Sequence, residues 1–147
     1  PMVLGGHGDA MLPLARFTTV DGAPLSERLP AVKLRELEDR TREGGAEVVS
    51  LLKKGSAYYA PSACVARMVT AILEDEDYEV AASVRLQGEY GIDGVFLGVP
   101  VILGRGGWSK VVELPLIPPE IECLRESSRL IKERTDELDR WLEDHSS

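Results

Sequence analysis

The sequence predicts an α+β domain in which long helices pack on a twisted antiparallel sheet. Apolar residues recur every three or four positions over several long segments, which is the period of an amphipathic helix. Residues 79–86 instead place apolar side chains at alternate positions, which is the period of a strand. Two more apolar segments follow after short links, and sequential strands with short links favour antiparallel pairing. The chain has 147 residues, enough for one such domain.

The N-terminal part is predicted to contain a strand, a turn and then a helix. Residues 11–20 mix apolar residues with threonine, as strands do. The tetrapeptide Asp21-Gly22-Ala23-Pro24 has the residues that form turns. We expect the first long helix to begin after Pro30 and to cover residues 32–54.

Two glycine-containing sites refine the prediction for this helix. Gly44-Gly45 interrupts its pattern, and glycine pairs are a recognised cause of kinks, so we expect a bend or a break there. Lys53-Lys54 followed by Gly55 is typical of a helix C-terminus. Cations stabilise the negative end of the helix dipole, and glycine readily adopts the left-handed conformation of a cap.

A second helix is predicted from Ser56 to Leu73. Ser56 is a residue type that caps helix N-termini, Ala57 is a small first-turn residue, and Pro61 is suited to the first turn. Seven residues follow the spacing of one helical face: Pro61, Cys64, Val65, Met68, Val69, Ile72 and Leu73. The acidic residues 74–77 end the helix and are predicted to form a solvated turn.

Three strands are predicted beyond that turn, over residues 79–86, 95–103 and 108–116. Pro100 has no N–H group to donate, so it predicts an edge position or a bulge. Gly104-Arg105-Gly106-Gly107 is typical of a hairpin connection. Together these features predict an antiparallel meander.

The chain is predicted to end with a long helix from Pro118 to about Leu142. Its apolar stripe consists of Ile121, Leu124, Ile131, Leu138 and Leu142. Ser128 and Thr135 fall on the same stripe and weaken it. The opposite face is charged, so we expect a surface helix that lies on the strands.

Charge and hydropathy restrict the class of partner. The formal net charge is −8, which repels nucleic-acid backbones and anionic membranes, so we expect neither as a partner. No segment reaches the roughly 20 apolar residues of a membrane-spanning helix, and no signal peptide is visible. We therefore expect a cytoplasmic protein.

The cysteines, Cys64 and Cys123, lie in helical apolar patterns. We expect two buried, reduced thiols, as in a reducing cytosol. Neither a CxxC motif nor a Cys/His spacing occurs, so no metal site is expected.

His7 is the candidate for proton transfer. The segment Gly5-Gly6-His7-Gly8-Asp9 follows the apolar residues Met2-Val3-Leu4, and glycines allow backbone conformations that can present a histidine to a cleft. Imidazole titrates near neutral pH, which suits it to give and take a proton. From these residues alone, a turn histidine without chemistry stays open. Asp9 is expected to cap the turn, and His145 to be solvated.

This segment resembles the active-site histidine segment of the lactate/malate dehydrogenase family. Further stretches that resemble the family follow in order: Met11-Leu12-Pro13-Leu14, residues 40–47, residues 54–61, Gly88-Glu89-Tyr90-Gly91-Ile92 and residues 98–104. The resemblance covers residues 3–116, and it is greatest to the lactate-dehydrogenase-like malate dehydrogenases of bacteria.

The resemblance implies that residues 1–147 are the C-terminal substrate domain of an NAD-dependent malate dehydrogenase. It implies that His7 is the catalytic proton donor and acceptor for malate and oxaloacetate. Ser56 and Ala57 would bind substrate, and Pro61 would pack near the nicotinamide. Family members form dimers and tetramers, so a homo-oligomer is expected.

The chain departs from the complete family pattern in two ways. The glycine-rich phosphate loop is not present, so the NAD-binding Rossmann domain is expected outside this chain. Arg16, Arg40 and Arg42 do not match the family's substrate-binding arginines. We expect the chain alone neither to bind NAD nor to turn over substrate. Two alternatives stay open: a domain of an L-lactate dehydrogenase, and a stand-alone, non-catalytic oligomerisation module.

Overall fold

Helices and antiparallel strands make up the fold, which confirms the predicted class. The computed structural model describes residues 2–145, except for the side chain of Asp9. The strands are β1 (Val3–Gly5), β2 (Met11–Pro13), β3 (Thr19–Val20), β4 (Ala23–Pro24), β5 (Tyr78–Gln87), β6 (Asp93–Gly104) and β7 (Gly107–Val111). The helices are α1 (Leu25–Arg28), α2 (Ala31–Leu52), α3 (Tyr59–Glu74) and α4 (Pro118–His145).

The central strand of the main sheet is β6. β5 pairs with it in antiparallel register from Tyr78 opposite Leu103 to Gln87 opposite Asp93. On its other edge, β6 pairs with β7 near its C-terminal end and with β1 at Gly98, and β2 pairs with β1. The predicted meander is therefore confirmed as β5–β6–β7, although its third strand ends at Val111 rather than at residue 116.

Pro100 lies inside this central strand and pairs with Ala81 in unbroken register, so neither the edge position nor the bulge predicted for it is correct. Its carbonyl oxygen accepts a hydrogen bond of 2.8 Å from the N–H of Val112, on the β7 side. The N and the C=O of one strand residue point to the same edge, so the missing N–H also belongs on that side. There β7 pairs from Val101 onward and β1 pairs at Gly98, so Pro100 lies where the neighbouring strand changes.

One face of the sheet carries the hydrophobic core. Alternate residues of β5 and β6 point to this face, because successive strand side chains alternate. The core consists of Leu4, Leu12, Leu14, Val84, Leu86, Ile92, Val95, Leu97, Val99, Val101 and Leu124. Each fully buried leucine in it contributes roughly 2 kcal/mol of transfer free energy.

Helix α4 covers the sheet with its first half. Leu124 is fully buried and Ile131 is half-buried, whereas Leu138 and Leu142 are exposed. The predicted surface helix on the strands is thus confirmed for the first half. No helix among residues 2–145 combines the length and the apolarity needed to cross a membrane.

Two details predicted for the first long helix differ in the structure: a break at Gly44-Gly45 and the position of its C-terminal cap. α2 runs unbroken from Ala31 to Leu52, so Gly44-Gly45 does not break it. A Cβ atom built on either glycine would have no neighbouring atom within 4 Å, so no tertiary contact disturbs the helix at this point. The left-handed residue that ends α2 is Lys53, with φ 62°, one residue beyond the helix rather than at Gly55.

Helix α3 begins two residues later than predicted. Tyr58 is its N-cap, and no side-chain hydrogen bond caps it. Ser56 and Ala57 therefore precede the helix, and neither the capping role of Ser56 nor the first-turn position of Ala57 is correct. Pro61 lies in the first turn, as predicted. Proline lacks an N–H, and first-turn N–H groups have no helical partner in any case.

The predicted strand over residues 11–20 is correct only at its two ends. A 3-10 turn at Ala15–Phe17 separates β2 from β3. The turn predicted at residues 21–24 is confirmed: Asp21 and Gly22 both have positive φ, 51° and 78°, as in a tight two-residue hairpin.

The prediction of two buried cysteines is also wrong. Cys64 and Cys123 are both free and both exposed. Cys64 lies on a helical face of α3 that the chain leaves uncovered: Val65 and Leu73 are 59% and 67% exposed. Periodicity identified the apolar face correctly but carried no information about what covers it.

Candidate functional site

His7 lies between the end of β1 and a short 3-10 helix at Gly8–Ala10. Its backbone is extended (φ −109°, ψ 148°), and its side chain is exposed. Gly5 ends the strand with φ 87°, a conformation that L side chains rarely adopt. Leu4, just before it, is 1% exposed. The structure therefore presents an exposed imidazole at the end of a buried strand.

The loop that holds His7 is attached to α4 through Ser127. The N–H of Gly6 donates to the Ala10 carbonyl at 2.8 Å and to the Ser127 Oγ at 2.9 Å. The Ser127 hydroxyl in turn donates to the same Ala10 carbonyl at 2.8 Å. Ser127 is 2% exposed, so this bond is shielded from water.

Ser127 was not among the residues predicted to form the site. A signal was present, because Ser127 lies three residues after Leu124 and four before Ile131, both on the predicted stripe. A polar side chain buried on such a stripe needs a hydrogen-bonding partner. The neighbouring Ser128 was predicted only to weaken the stripe.

Two glycines allow the strand of His7 to approach the central strand. β1 pairs with β6 where Gly5 faces Gly98. A Cβ atom on Gly98 would lie 2.7 Å from the Gly5 carbonyl oxygen, and one on Gly5 would lie 2.5 Å from the Ala10 carbonyl oxygen. Both distances are too short for real atoms, so this register requires glycine at both positions.

A second attachment ties the N-terminal segment to the start of α4. Arg16 donates from Nε and Nη2 to the two carboxylate oxygens of Glu120, at 2.6 and 2.7 Å. Glu120 also accepts the N–H of Ile117 at 2.9 Å. The hydrogen bond from Arg16 holds the pKa of Glu120 below its ordinary value, against a smaller opposing effect of burial. The pair therefore links the 3-10 turn Ala15–Phe17 to the start of α4.

His7 borders a groove of about 510 Å³ between its own loop and α4. Gly6, Gly8 and Ala10 line one side with it, and Leu130, Ile131 and Arg134 line the other. The groove thus combines one imidazole, one guanidinium and an apolar wall. This is a suitable arrangement for a small anionic molecule that undergoes proton transfer.

The structure does not place the other predicted site residues in this groove. Ser56 and Ala57 lie in the connection between α2 and α3, and Pro61 lies in the first turn of α3. None of the three lines the groove of His7. The side chain of Asp9 lies outside the described part of the chain, so its predicted capping role is not addressed.

His145 is exposed, as predicted, but it belongs to α4 rather than to a frayed end. Its ring stacks on Trp141 with centroids 4.4 Å apart, and its Nδ1 lies 2.8 Å from the Trp141 carbonyl oxygen. His145 is therefore occupied by contacts on its own helix, and we assign it no part in the site.

The described chain does not fit a complete NAD site. Gly104–Gly107 closes the hairpin between β6 and β7, whereas a dinucleotide loop joins a strand to a helix N-terminus. The loop of His7 leads only to a three-residue 3-10 helix. Among the described side chains, which exclude that of Asp9, no group of three His, Cys, Asp or Glu residues could hold a metal ion.

Comparison with known proteins defines the class. Residues 2–140 match the family model described as lactate/malate dehydrogenase, alpha/beta C-terminal domain. The chain therefore belongs to that family, as its motifs indicated.

The curated relatives include malate dehydrogenases of bacteria and archaea. The malate dehydrogenase of Roseiflexus sp. (strain RS-1) is 48% identical over 130 residues, which cover 88% of this chain and 42% of the relative. The malate dehydrogenase of Methanosarcina mazei is 47% identical over 138 residues, which cover 94% of this chain and 45% of the relative. The chain thus spans less than half the length of the relatives it matches.

Solved structures agree with this assignment. The malate dehydrogenase of Salinibacter ruber superposes with a TM-score of 0.94 at 40% identity, covering 99% of this chain and 47% of that one. The lactate dehydrogenase of Eimeria maxima, solved with NADH and oxamate, superposes with a TM-score of 0.90 at 33% identity. The match covers 95% of this chain and 45% of that one.

Proposed function

We propose that this chain is the C-terminal substrate domain of an NAD-dependent malate dehydrogenase, which interconverts malate and oxaloacetate. The single observation that carries the proposal is His7, exposed at the end of a buried strand and bordering a groove that also contains Arg134. The relatives named malate dehydrogenase, at up to 48% identity, support malate as the substrate.

Oxidation of a 2-hydroxy acid releases the hydroxyl proton and transfers a hydride from the same carbon. In our proposal the imidazole of His7 accepts that proton and returns it in the reverse direction. NAD supplies the hydride chemistry when bound, and we expect residues outside this chain to hold most of it. The roles of Ser56 and Ala57 in substrate binding, and of Pro61 near the nicotinamide, stay predictions, as does a cytoplasmic location.

A lactate dehydrogenase is the second candidate. The Eimeria maxima enzyme, a lactate dehydrogenase, has nearly the same domain fold, with a TM-score of 0.90. Its identity of 33% is lower than the 48% of the Roseiflexus malate dehydrogenase, so malate is favoured. Competing kinetics on oxaloacetate and pyruvate distinguish the two candidates.

The test is an assay of NADH oxidation by oxaloacetate. The chain alone is expected to give no turnover, and clear activity of the chain alone would contradict its assignment as one domain of the enzyme. Joined to the part of the Salinibacter ruber malate dehydrogenase that its match leaves uncovered, the chain is expected to be active.

In the joined protein, His7→Asn is expected to lower kcat about a thousandfold, because it removes the proton acceptor. His145→Asn changes the other histidine of the chain, which stacks on Trp141, and is expected to leave kcat unchanged. Equal rates for His7→Asn and the unsubstituted protein would refute the assigned role of His7.

We also propose that the chain self-associates. Leu51 on α2 and Val65 and Leu73 on α3 are 73%, 59% and 67% exposed. No residue of α2 is fully buried. Exposed apolar patches of this kind favour protein contacts. The same surface is also compatible with the alternative of a stand-alone oligomerisation module. An inactive joined protein in the assay of NADH oxidation would support that alternative.

A further inference from the structure

Strand β5 forms one edge of the main sheet over ten residues. It pairs with β6 on one side, and no strand among residues 2–145 pairs with it on the other. Such an edge offers main-chain N–H and C=O groups to any strand that can lie beside it. Strands of roughly five or six residues are typical, so β5 is long enough for a regular ladder with a further strand.

The position of Pro100 identifies which residues of β5 face the open edge. The Pro100 carbonyl points away from β5, where it accepts a main-chain hydrogen bond from the residue after β7. Pro100 lies directly opposite Ala81, so these two residues form a non-hydrogen-bonded pair. Ala81 therefore directs its own N–H and C=O to the open edge. Strand geometry repeats at every second residue, so Glu79, Ser83 and Arg85 do the same.

The side chains of these four residues lie on the face of the sheet opposite the hydrophobic core, and all four are exposed. Among the described residues, Glu79 and Arg85 form no ion pair and no side-chain hydrogen bond. On the same face between them lie only the small side chains of Ala81 and Ser83. The edge therefore carries an unpaired negative charge near one end and an unpaired positive charge near the other.

These charges are complementary to those of a second copy of β5 that runs antiparallel to the first. A twofold axis at Ala82 sets Glu79 of one copy opposite Arg85 of the second copy. The axis repeats this contact at the other end of the strand. Opposite charges directly across an antiparallel pair stabilise it, whereas like charges destabilise it. No other twofold register sets these two charges opposite each other.

The core face of β5 agrees with the same register. The rotation sets Ala82 opposite Ala82 and Val80 opposite Val84, so small and branched apolar residues meet. Val80 and Ala82 are only half-buried in the single chain. A groove of about 230 Å³ lies open beside Val80, between α3 and the start of β5. The core face of the sheet can therefore continue into a second copy.

We propose that β5 is an interface at which two copies of this chain pair edge to edge, in antiparallel register around Ala82. The main sheets of the two copies then join into one continuous sheet. Roughly eight main-chain hydrogen bonds form, because the four outward residues of each copy pair reciprocally. This contact is separate from the exposed apolar surface of α2 and α3, and it does not depend on the proposed enzymatic function.

Disulfide trapping at position 82 tests the register. Ala82→Cys is combined with Cys64→Ser and Cys123→Ser, which remove the exposed native thiols. Ala82 directs its N–H and C=O to β6, so the two copies of position 82 form a non-hydrogen-bonded pair. The Cα atoms of such a pair lie about 4.5 Å apart, within the range that a disulfide spans. Copper-catalysed oxidation is expected to convert most of the variant into a disulfide dimer, measured by non-reducing electrophoresis.

Val80→Cys in the same cysteine-free background is the matched control. Val80 lies opposite Val84 of the second copy, so the two copies of position 80 are roughly 14 Å apart and cannot be bridged. This variant is expected to give little dimer under the same oxidation. Circular dichroism checks that both variants are folded before oxidation.

Charge reversal tests the pairing of Glu79 with Arg85. Sedimentation velocity is measured on Leu51→Glu, which places a charge on the separate apolar surface of α2. In that background Glu79→Arg sets like charges opposite each other and is expected to raise the dimer dissociation constant about tenfold. Adding Arg85→Glu exchanges the two charges and is expected to restore the affinity to within about threefold. Lys110→Glu changes an exposed cation of β7, away from the edge, and is expected to change the affinity less than about twofold.

The proposal is overturned if Ala82→Cys forms no more dimer than Val80→Cys, or if the double exchange binds as weakly as Glu79→Arg. A Leu51→Glu chain that stays monomeric up to about 1 mM would also overturn it. In the joined protein, Ala82→Cys is expected to trap the same dimer. Failure to trap it there would show that another part of the joined protein covers β5, and would overturn the choice of a second copy as its partner.

Discussion

The hydroxyl oxygen of Ser127 lies 2.9 Å from the amide nitrogen of Gly6, although the two residues are 121 positions apart. Through this bond the C-terminal helix α4 holds the N-terminal loop that carries His7. Ser127 is buried, and its hydroxyl also donates to the Ala10 carbonyl, which accepts the Gly6 N–H as well. The Gly6 N–H, the Ser127 hydroxyl and the Ala10 carbonyl are therefore all hydrogen-bonded to one another. The position of the candidate proton-transfer residue therefore depends on the docking of α4.

Replacing Ser127 by alanine is expected to destabilise the chain by about 1–2 kcal/mol. The substitution removes the hydroxyl that donates to the Ala10 carbonyl and accepts from the Gly6 N–H. The Gly6 N–H and the Ala10 carbonyl then keep only their hydrogen bond to each other. Urea denaturation measures the loss, and amide hydrogen exchange at Gly6 is expected to accelerate. Ser128→Ala is the matched control: Ser128 is also buried, at 9% exposure, and it is expected to change stability by less than about 0.5 kcal/mol. Equal losses for both variants would contradict a specific role of Ser127.

Replacing Gly5 by alanine is expected to destabilise the chain by more than about 2 kcal/mol. The new Cβ would lie 2.5 Å from the Ala10 carbonyl oxygen, at a residue with φ 87°. Gly45→Ala is the opposite case, because it lies inside α2 with open space around it. That change is expected to stabilise the helix by about 0.5–1 kcal/mol. Thermal unfolding of the two variants tests both signs, and a harmless Gly5→Ala would show that the loop has a different backbone conformation.

Replacing Glu120 by glutamine is expected to make stability less dependent on pH below about 5. Arg16 holds the pKa of Glu120 below its ordinary value, chiefly by hydrogen bonding. A carboxylate with a lowered folded-state pKa adds stability above its unfolded pKa of about 4.3. That stability is lost as the pH falls through the folded-state pKa.

The expected difference between the native chain and Glu120→Gln is about 1 kcal/mol at pH 7 and close to zero well below pH 4. Denaturation midpoints over the pH series give the measurement. Glu122→Gln removes a mostly exposed carboxylate, 3.8 Å from Arg125, and is expected to change little at either pH. A constant difference for Glu120→Gln across the series would exclude the pH linkage.

Replacing Leu51 by glutamate is expected to reduce self-association of the chain. Leu51 is 73% exposed and borders a surface groove of α2 that also includes Leu37 and Val48. A charge at this position repels an apolar contact surface but costs the folded monomer little. Val20→Glu provides the control, since Val20 is exposed in the separate hairpin β3–β4. Sedimentation velocity distinguishes these cases, and a native chain that is monomeric at all concentrations would refute self-association.

The sequence correctly predicted the elements whose signals lie within their own residues. The alternation of Val80, Ala82, Val84 and Leu86 predicted β5, and the glycine-rich residues 104–107 predicted the hairpin after β6. These signals are local, because strand alternation and turn chemistry depend on neighbouring residues. The three-strand meander followed from them directly.

Predictions that depended on distant residues were wrong or incomplete. Pro100 was predicted at an edge or a bulge because periodicity cannot tell which strand flanks it, and the structure places it where β7 gives way to β1. Cys64 and Cys123 were assigned to the interior because they follow apolar patterns, yet both are exposed. Of the candidate site, His7 was found from its glycines. Ser127 and Arg134 were not, because nothing local links a helix more than a hundred residues later to the N-terminal loop.

The opposed glycines Gly5 and Gly98 have a consequence for protein engineering. Together with the Ser127 hydroxyl they hold the backbone of the loop, and no described side chain pairs with the imidazole of His7. The residue at position 7 can therefore be exchanged without repacking the core. A thiol, a carboxylate or a metal-binding side chain at this position would point toward the same wall of α4. The domain would then serve as a scaffold on which one reactive group is varied while its surroundings stay constant.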